Sequence, residues 1–210
     1  MSSKPLKQVP RQDSIETVGS TRWLALKTNT YTDEKGASRK WDVASRTTKQ
    51  GIDKADAVVI IPILRSHKSL TLDTVLVKQY RPPVQQVTLE FPAGLIDADE
   101  TAQQAGLREL LEETGYVGTV DEQFTSSLLC MTPGLCDEAI QIIVVNVDLD
   151  DEKNKNPKQQ LDDGEAIVLE RVPLLTGLKK MMDEGSEMPI AMLYSFALGL
   201  ELGMKHASKK

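Results

Sequence analysis

The chain has 210 residues, a length suited to one domain with a sizeable core and a small appendage. Apolar residues make up 40% and charged residues 27%, the balance of an ordinary soluble globular protein, which excludes a disordered or fibrous chain. A net charge of −6 argues against a nucleic-acid groove or an anionic membrane surface as the main partner. Cys130 and Cys136 do not make a disulfide framework, and His67 and His206 are too few and too far apart in sequence for a zinc site. No signal peptide or membrane-length apolar run is visible, so the expected location is the cytoplasm, with the nucleus open by diffusion.

Residues 1–14 are polar, carry Pro5 and Pro10, and read as a disordered arm. Residues 15–48 alternate in short stretches around a turn at Asp33-Glu34-Lys35-Gly36, which predicts a hairpin or small sheet within an N-terminal β segment, 15–54. Trp23 and Trp41, the only tryptophans, both fall there. Each is either a packing residue or one side of a slot for a flat ring, where stacking is worth roughly 1–3 kcal/mol per base. Residues 55–210 form the main domain. A buried strand is predicted at 57–64, a second strand at 73–80 and a third at 87–91, the last ending at Pro92-Ala93-Gly94. A helix follows, with Thr101 and Gln104 in capping-box spacing and Gly115 as a left-handed stop. Strands near 125–131 and 139–149 come next. Residues 150–164 are charged and poor in apolar side chains, and are expected as a mobile loop. A last strand at 166–172 and helices at 174–184 and 190–205 complete a mixed α/β pattern, a sheet covered on both faces.

The central helix carries its acids where a helix disfavours them. Residues advance by about 100° each, which puts Leu107, Leu110 and Leu111 on one stripe, expected to face the core. Glu109, Glu112 and Glu113 fall on the other side, with Glu109 and Glu113 one turn apart and able to reach one point. Ala102, Ala105 and Gly106 share that side and are expected to leave the acids unshielded. Carboxylates one turn apart repel, and acids in a last turn oppose the helix dipole, each costing up to ~1 kcal/mol. Arg108 is the one nearby cation, and it precedes Glu112 in the less favourable order. A bound cation removes both penalties; an oxygen-only ligand set beside a substrate phosphate describes Mg²⁺ best, with Mn²⁺ a substitute. On the helix alone, a solvated acidic face is an equal reading.

Gly94, five residues, Glu100, seven residues, then Arg108-Glu109-Leu110-Leu111-Glu112-Glu113-Thr114-Gly115 resembles the Nudix box at every fixed position; Tyr116 stands in its final aliphatic slot. The flanks Lys78-Gln79-Tyr80-Arg81-Pro82-Pro83, Glu90-Phe91-Pro92-Ala93, Met131-Thr132-Pro133-Gly134-Leu135 and Asp163-Gly164-Glu165 resemble the ADP-ribose pyrophosphatase branch of the Nudix hydrolases. This resemblance runs from about Trp23 to Glu165 and fades at both ends. It implies an α/β/α sandwich with a mixed sheet over 55–210, and Mg²⁺-dependent hydrolysis of ADP-ribose, and of related ADP-sugars, to AMP and ribose 5-phosphate. Two alternatives stay open: a hydrolase of another nucleoside diphosphate derivative, such as a sugar nucleotide or an oxidised nucleoside diphosphate, and a non-catalytic ADP-ribose-binding module. Three mutually repelling acids argue against the second.

The resemblance also implies roles for residues. Glu109 and Glu113 are the first-choice metal ligands, Glu112 a second ligand or a bridge, and the Ala93 carbonyl a further oxygen. Glu112 and Glu113 count with Glu165 as the catalytic set, Glu165 being the candidate general base on a loop that closes over substrate. Arg46 and Arg81 bind the diphosphate, for which a planar guanidinium is suited. Leu135, after Pro133-Gly134, is read either as the wall of a ribose or adenine pocket or as part of a structural turn. The N-terminal segment is exchanged across a homodimer, and Trp23 and Trp41 stack on adenine. Glu100 and Arg108 are expected to tie loop to helix.

Overall fold

The structure, a computed structural model, describes residues 9–207. Its elements in chain order are β1 (Arg11–Ser20), β2 (Leu24–Thr32), β3 (Ser38–Arg46), β4 (Ala57–Arg65), β5 (Asp73–Arg81), β6 (Gln86–Glu90), β7 (Ala93–Leu95), α1 (Ala102–Thr114), β8 (Thr119–Val120), β9 (Leu129–Cys130), β10 (Ala139–Asp148), β11 (Ile167–Pro173), α2 (Leu178–Glu184), β12 (Met188–Pro189) and α3 (Ala191–Ala207). The chain divides into two compact units. One contains the described residues up to Asp56 with Leu128–Ile140, and the other contains Ala57–Ser127 with Gln141 onward.

The first unit is built on an antiparallel sheet, β1-β2-β3. The turn between β2 and β3 forms because the buried Asp33 carboxylate accepts the Lys35 and Ala37 amides and the Arg39 Nε, each at 2.9 Å, while Gly36 takes a positive φ of 81°. Residues 1–8 of the expected arm lie outside the described residues. Residues 11–14 do not stay loose as expected; they open β1, paired from Arg11↔Thr32 onward. Every residue of β1 is exposed, so no alternation marks it, and ladder hydrogen bonds hold it whatever its side chains. The unit boundary also differs from a cut at 54/55. The chain returns through 128–140, where β9 pairs with the first two residues of β10, and Ala44 N–H donates to the Leu135 carbonyl at 2.9 Å.

The second unit is built on a mixed sheet with strand order β12-β6-β5-β4-β10-β8, with β11 added on β5 and β7 on β4. β4 and β5 are apolar without alternation, and consecutive residues of each are buried, the pattern of strands covered on both faces. Val58, Ile60, Leu64, Val75, Leu110 and Ile143 lead its core, and Phe196 of α3 meets Phe91 edge-on at 5.5 Å.

Helix α1 starts and stops as read. Thr101 Oγ1 accepts the Gln104 amide at 3.2 Å, the Gln104 side chain accepts the Thr101 amide at 2.9 Å, and Gly115 ends the helix at φ 75°. The face it presents to the sheet is rotated from the expected one: Leu110 enters the core as expected, but the small residues and Glu113 join it. Ala102, Ala105, Gly106, Leu110, Glu113 and Thr114 are buried, whereas Leu107 and Leu111 are half-buried flanks. The small residues are there for close approach: a Cβ on Gly106 would lie 3.1 Å from Ile143. Glu109 and Glu113 thus share a side with Ala102, Ala105 and Gly106, and that side points inward.

The segment 150–164 is fastened where a mobile loop was expected. It contains a 3-10 turn, Glu152–Asn154, and the buried Asn154 amide bonds Val117 N–H and C=O and the Asp148 carbonyl at 2.8–2.9 Å. One buried amide does this, and composition does not reveal it. The strand near 125–131 shortens to β9, and the helix at 174–184 to α2. Among the described residues no helix is long and apolar enough to cross a membrane.

Gly115 tests this frame. Its φ is left-handed and a Cβ there would lie 2.2 Å from the Lys158 backbone nitrogen. Gly115→Ala is expected to destabilise the protein by about 2 kcal/mol or more, read by urea denaturation.

Candidate active site

Helix α1 and strand β7 bring the acids together. Ala93 N–H donates to Glu113 Oε2 at 3.0 Å, and a Cβ on Gly94 would fall 1.9 Å from the Glu109 carboxyl carbon. Gly94 therefore serves by leaving room for a carboxylate; it is not among the residues of positive φ, so no special turn demands it. The Glu109 and Glu113 carboxylates lie along adjacent residues of one short strand, with the backbone of Ala93 between sheet and helix.

Arg108 holds the outer side of this group. Its Nε and Nη2 donate to Glu100 at 2.9 and 2.8 Å, Nη2 also to the Leu95 carbonyl at 3.0 Å, and Nη1 to Glu109 at 2.7 Å and Glu112 at 3.0 Å. Every N–H of the guanidinium is engaged, so it cannot also bind substrate. Glu100 and Arg108 tie loop to helix as expected, and the hydrogen bonds from Arg108 hold the Glu100 carboxyl below its usual range.

Two buried glutamates behave in opposite ways. Glu90, 7% exposed, receives Arg81 in bidentate fashion at 2.8 and 3.0 Å and the Thr88 hydroxyl at 2.5 Å. Burial alone would push its pKa up, but the Arg81 and Thr88 hydrogen bonds outweigh it and the carboxyl titrates low. Glu113, 6% exposed, has a single backbone N–H. Its burial, added to the charges of Glu109 and Glu165, pushes it up to about 8. Glu109 is raised as well, again chiefly by burial, despite Arg108. Glu165 is exposed on its loop, yet its charge acts on Glu109, Glu113 and Arg81 alike. Arg81, Ala93, Glu109, Glu112, Glu113 and Glu165 are therefore one constellation in the second unit.

That constellation fits a divalent cation. The donors are hard oxygens, Glu113 is a buried acid without a cationic partner, and the space over Gly94 is kept for a carboxylate. Glu109, Glu112, Glu113 and the Ala93 carbonyl are the groups that would hold the ion.

Trp23, Trp41, Arg46 and Leu135 belong to the first unit. Trp23 is 55% and Trp41 50% exposed, so neither is a core residue of that unit. The Arg22 guanidinium lies over the Trp23 ring, 4.4 Å from its centroid, and Trp41 Nε1 donates to the Gly134 carbonyl at 3.3 Å. Arg46 pairs with Glu138, its Nε 2.6 Å from Oε1. Leu135, 63% exposed, projects from a turn closed by its own amide onto the Thr132 carbonyl.

Sequence reasoning gave Glu90 no role. Its signal was slight: an acid spaced two residues from Thr88 at the buried end of a short strand. The structure also gathers His67, Asp148 and Asp150, whose ligand atoms lie within 4.8 Å of one another. They sit at the end of β4 marked by the Leu149 N–H to Arg65 carbonyl bond, roughly 20 Å along the strand from Val59, the partner of Ala93. They contribute nothing to the glutamate cluster.

Known proteins resemble this chain in sequence and in fold. The NUDIX domain family model matches residues 53–189. The ADP-sugar pyrophosphatase of Mus musculus is 39% identical over 201 residues, covering 94% of this chain and 88% of that protein. The ADP-ribose pyrophosphatase of Saccharomyces cerevisiae is 37% identical over 153 residues, covering 73% and 65%. The crystal structure of an ADP compounds hydrolase superposes with a TM-score of 0.67 at 21% identity over 98% of each chain, a likeness of fold.

The raised acid has a consequence for stability. Glu113 binds its proton more tightly folded, at about 8, than at its ordinary value of 4.5. The stability it contributes is full below pH 4.5 and is lost as pH rises through 8. In chelator, urea denaturation is expected to show the protein weakening across that window, by on the order of a few kcal/mol. Glu113→Gln should remove most of the slope and be more stable than wild type at pH 8.5.

Proposed function

Because this chain belongs to the Nudix family, we propose that it hydrolyses the diphosphate bond of ADP-ribose, and of related ADP-sugars, releasing AMP and, from ADP-ribose, ribose 5-phosphate. The observation that carries the reaction is Glu113: a buried acid with no ion pair among the described residues, beside Glu109 and within the fields of Glu165 and Arg81. The substrate class is supported by the mouse ADP-sugar pyrophosphatase and the yeast ADP-ribose pyrophosphatase among its relatives.

Nudix enzymes work with divalent metal; Mg²⁺ is our choice here, with Mn²⁺ able to substitute, and the oxygen-only donors support it. When bound, such an ion neutralises phosphate charge and lowers the pKa of a coordinated water. Glu109, Glu112, Glu113 and the Ala93 carbonyl hold it. Glu165 accepts the proton of the attacking water. Arg81 binds the diphosphate; two of its nitrogens are fixed on Glu90, and Nη1 has no protein hydrogen bond among the described residues. Arg46, steadied by Glu138, is a second phosphate ligand, and Leu135 gives an apolar wall.

We place the adenine on Trp23 and Trp41, which are half-exposed, flat and unclaimed by a core. The same unit exposes Ile15, Val18, Leu24 and Leu26, a surface suited to a second copy, so we propose a homodimer. The free cysteines suit a reducing cytoplasm.

Product analysis across ADP-ribose, sugar nucleotides and oxidised nucleoside diphosphates tests the substrate. AMP release from ADP-ribose with Mg²⁺, the highest kcat/KM in the panel and none in chelator is expected; a faster substrate elsewhere in the panel reassigns it, and binding without turnover makes the chain a receptor. Replacing both Trp23 and Trp41 by Ala is expected to raise KM for ADP-ribose by roughly 10- to 100-fold. An unchanged KM takes the indoles out of the site, and sedimentation of the wild type as a monomer removes the dimer.

A further inference from the structure

The acid assigned as base rides on a loop whose departing end is tied to the helix it must face and whose returning end is tied to that departing end. Gln160 N–H donates to the Glu112 carbonyl at 2.7 Å. The Gln159 side-chain amide donates to the Glu113 carbonyl at 2.8 Å and to the Ile167 carbonyl at 3.1 Å. Glu112 and Glu113 stand in the last turn of α1, where carbonyls lack an intrahelical partner. The loop thus caps the helix on the backbone of the very residues whose side chains form the acidic cluster. One side chain, that of Gln159, joins three things: the departing end of the loop, the helix terminus, and the first residue of β11, where the loop returns.

Between these ties lie residues 161–166. Within them Glu165 N–H donates to the Asp162 carbonyl, Glu165 Oε2 accepts the Asp162 amide, both at 3.1 Å, and Gly164 takes φ 89° to close the turn. Glu165 stands two residues before the tie on Ile167. A closed loop this short passes a displacement at its foot directly to its tip, whereas a long one would absorb it.

We propose that Gln159 is a positioning residue for Glu165: its amide clamps the loop to the C-terminus of α1 and so registers the base against Glu109 and Glu113. This rests on the hydrolase reading above for the role of Glu165. Gln159 itself touches no reacting group. It is an exposed residue outside the hydrophobic core, so its loss is expected to leave the fold intact. Glutamine is required because two carbonyls need two N–H donors from one planar group; glutamate offers none, and leucine keeps the volume without the bonds.

The test is a double-mutant cycle on full-length protein with Mg²⁺ and ADP-ribose, using Gln159→Leu, Glu165→Gln and both together. Gln159→Leu is expected to lower kcat roughly 10- to 100-fold with little change in KM, the cost of a misplaced catalytic group. In the double variant kcat should match that of Glu165→Gln alone, since a base that is absent cannot be misplaced. Independently of turnover, amide exchange over 161–166 should quicken in Gln159→Leu while the interior of α1 and the melting temperature hold. Wild-type kcat in Gln159→Leu, multiplied losses in the double variant, or unchanged loop exchange each overturns the proposal. A Glu165→Gln variant as active as wild type overturns it too, while wild-type turnover leaves the hydrolase reading standing; an inactive wild type sinks that reading instead, and loop exchange then decides whether Gln159 clamps the loop at all.

Discussion

A carboxylate buried on the packed side of a helix is costly unless something answers its charge, and the second unit is arranged around two of them. Glu109 and Glu113 sit on the side of α1 that faces the sheet, in line with Ala102, Ala105 and Gly106. The small residues bring the first half of the helix close to Ile143 and the core. The acids occupy the second half, where β7 supplies a backbone amide and a missing side chain at Gly94 instead of an apolar surface. One continuous helix face therefore changes from packing surface to ligand surface within a turn. Its rigidity comes from the former and its chemistry from the latter.

Arginine is distributed to match. Arg108 is saturated by Glu100, Glu109, Glu112 and a carbonyl, which makes it a fastening. Arg81 is held by Glu90 along one edge only, and feels Glu113 and Glu165 with the rest. The contrast between Glu90 and Glu113 follows: equal burial, opposite titration, because one has a guanidinium and a hydroxyl and the other a single amide. A protein with a net charge of −6 that handles a diphosphate needs this economy. Its cations are few at the site, and what they leave unanswered is the charge a metal ion would meet.

The loop from 150 to 165 joins the same logic. Asn154 pins its first part and Gln159 and Gln160 pin its middle, so only a short tip is left to move. Closing a site with a short anchored tip costs less conformational entropy than ordering a long free loop.

The sequence by itself determined the acids and the ends of their helix. Spacing set Glu109 and Glu113 one turn apart, the Thr101–Gln104 box and Gly115 bounded the helix, and the apolar run at 57–64 announced a buried strand. These are local properties, carried by periodicity and by single residues with narrow conformational preferences. Which way the helix turns was not local: of the three leucines only Leu110 is fully buried, and a close-packed sheet selected the small residues beside it over Leu107 and Leu111. Likewise β1 showed no alternation because both its faces are exposed among the described residues, and the anchoring of 150–164 depended on Asn154 and Gln159 meeting carbonyls dozens of residues away or across a helix end. Hydrogen bonds from a side chain to groups distant in sequence leave no period in it, so tertiary structure alone decided which acid is answered, which is left bare, and where the loop is tied.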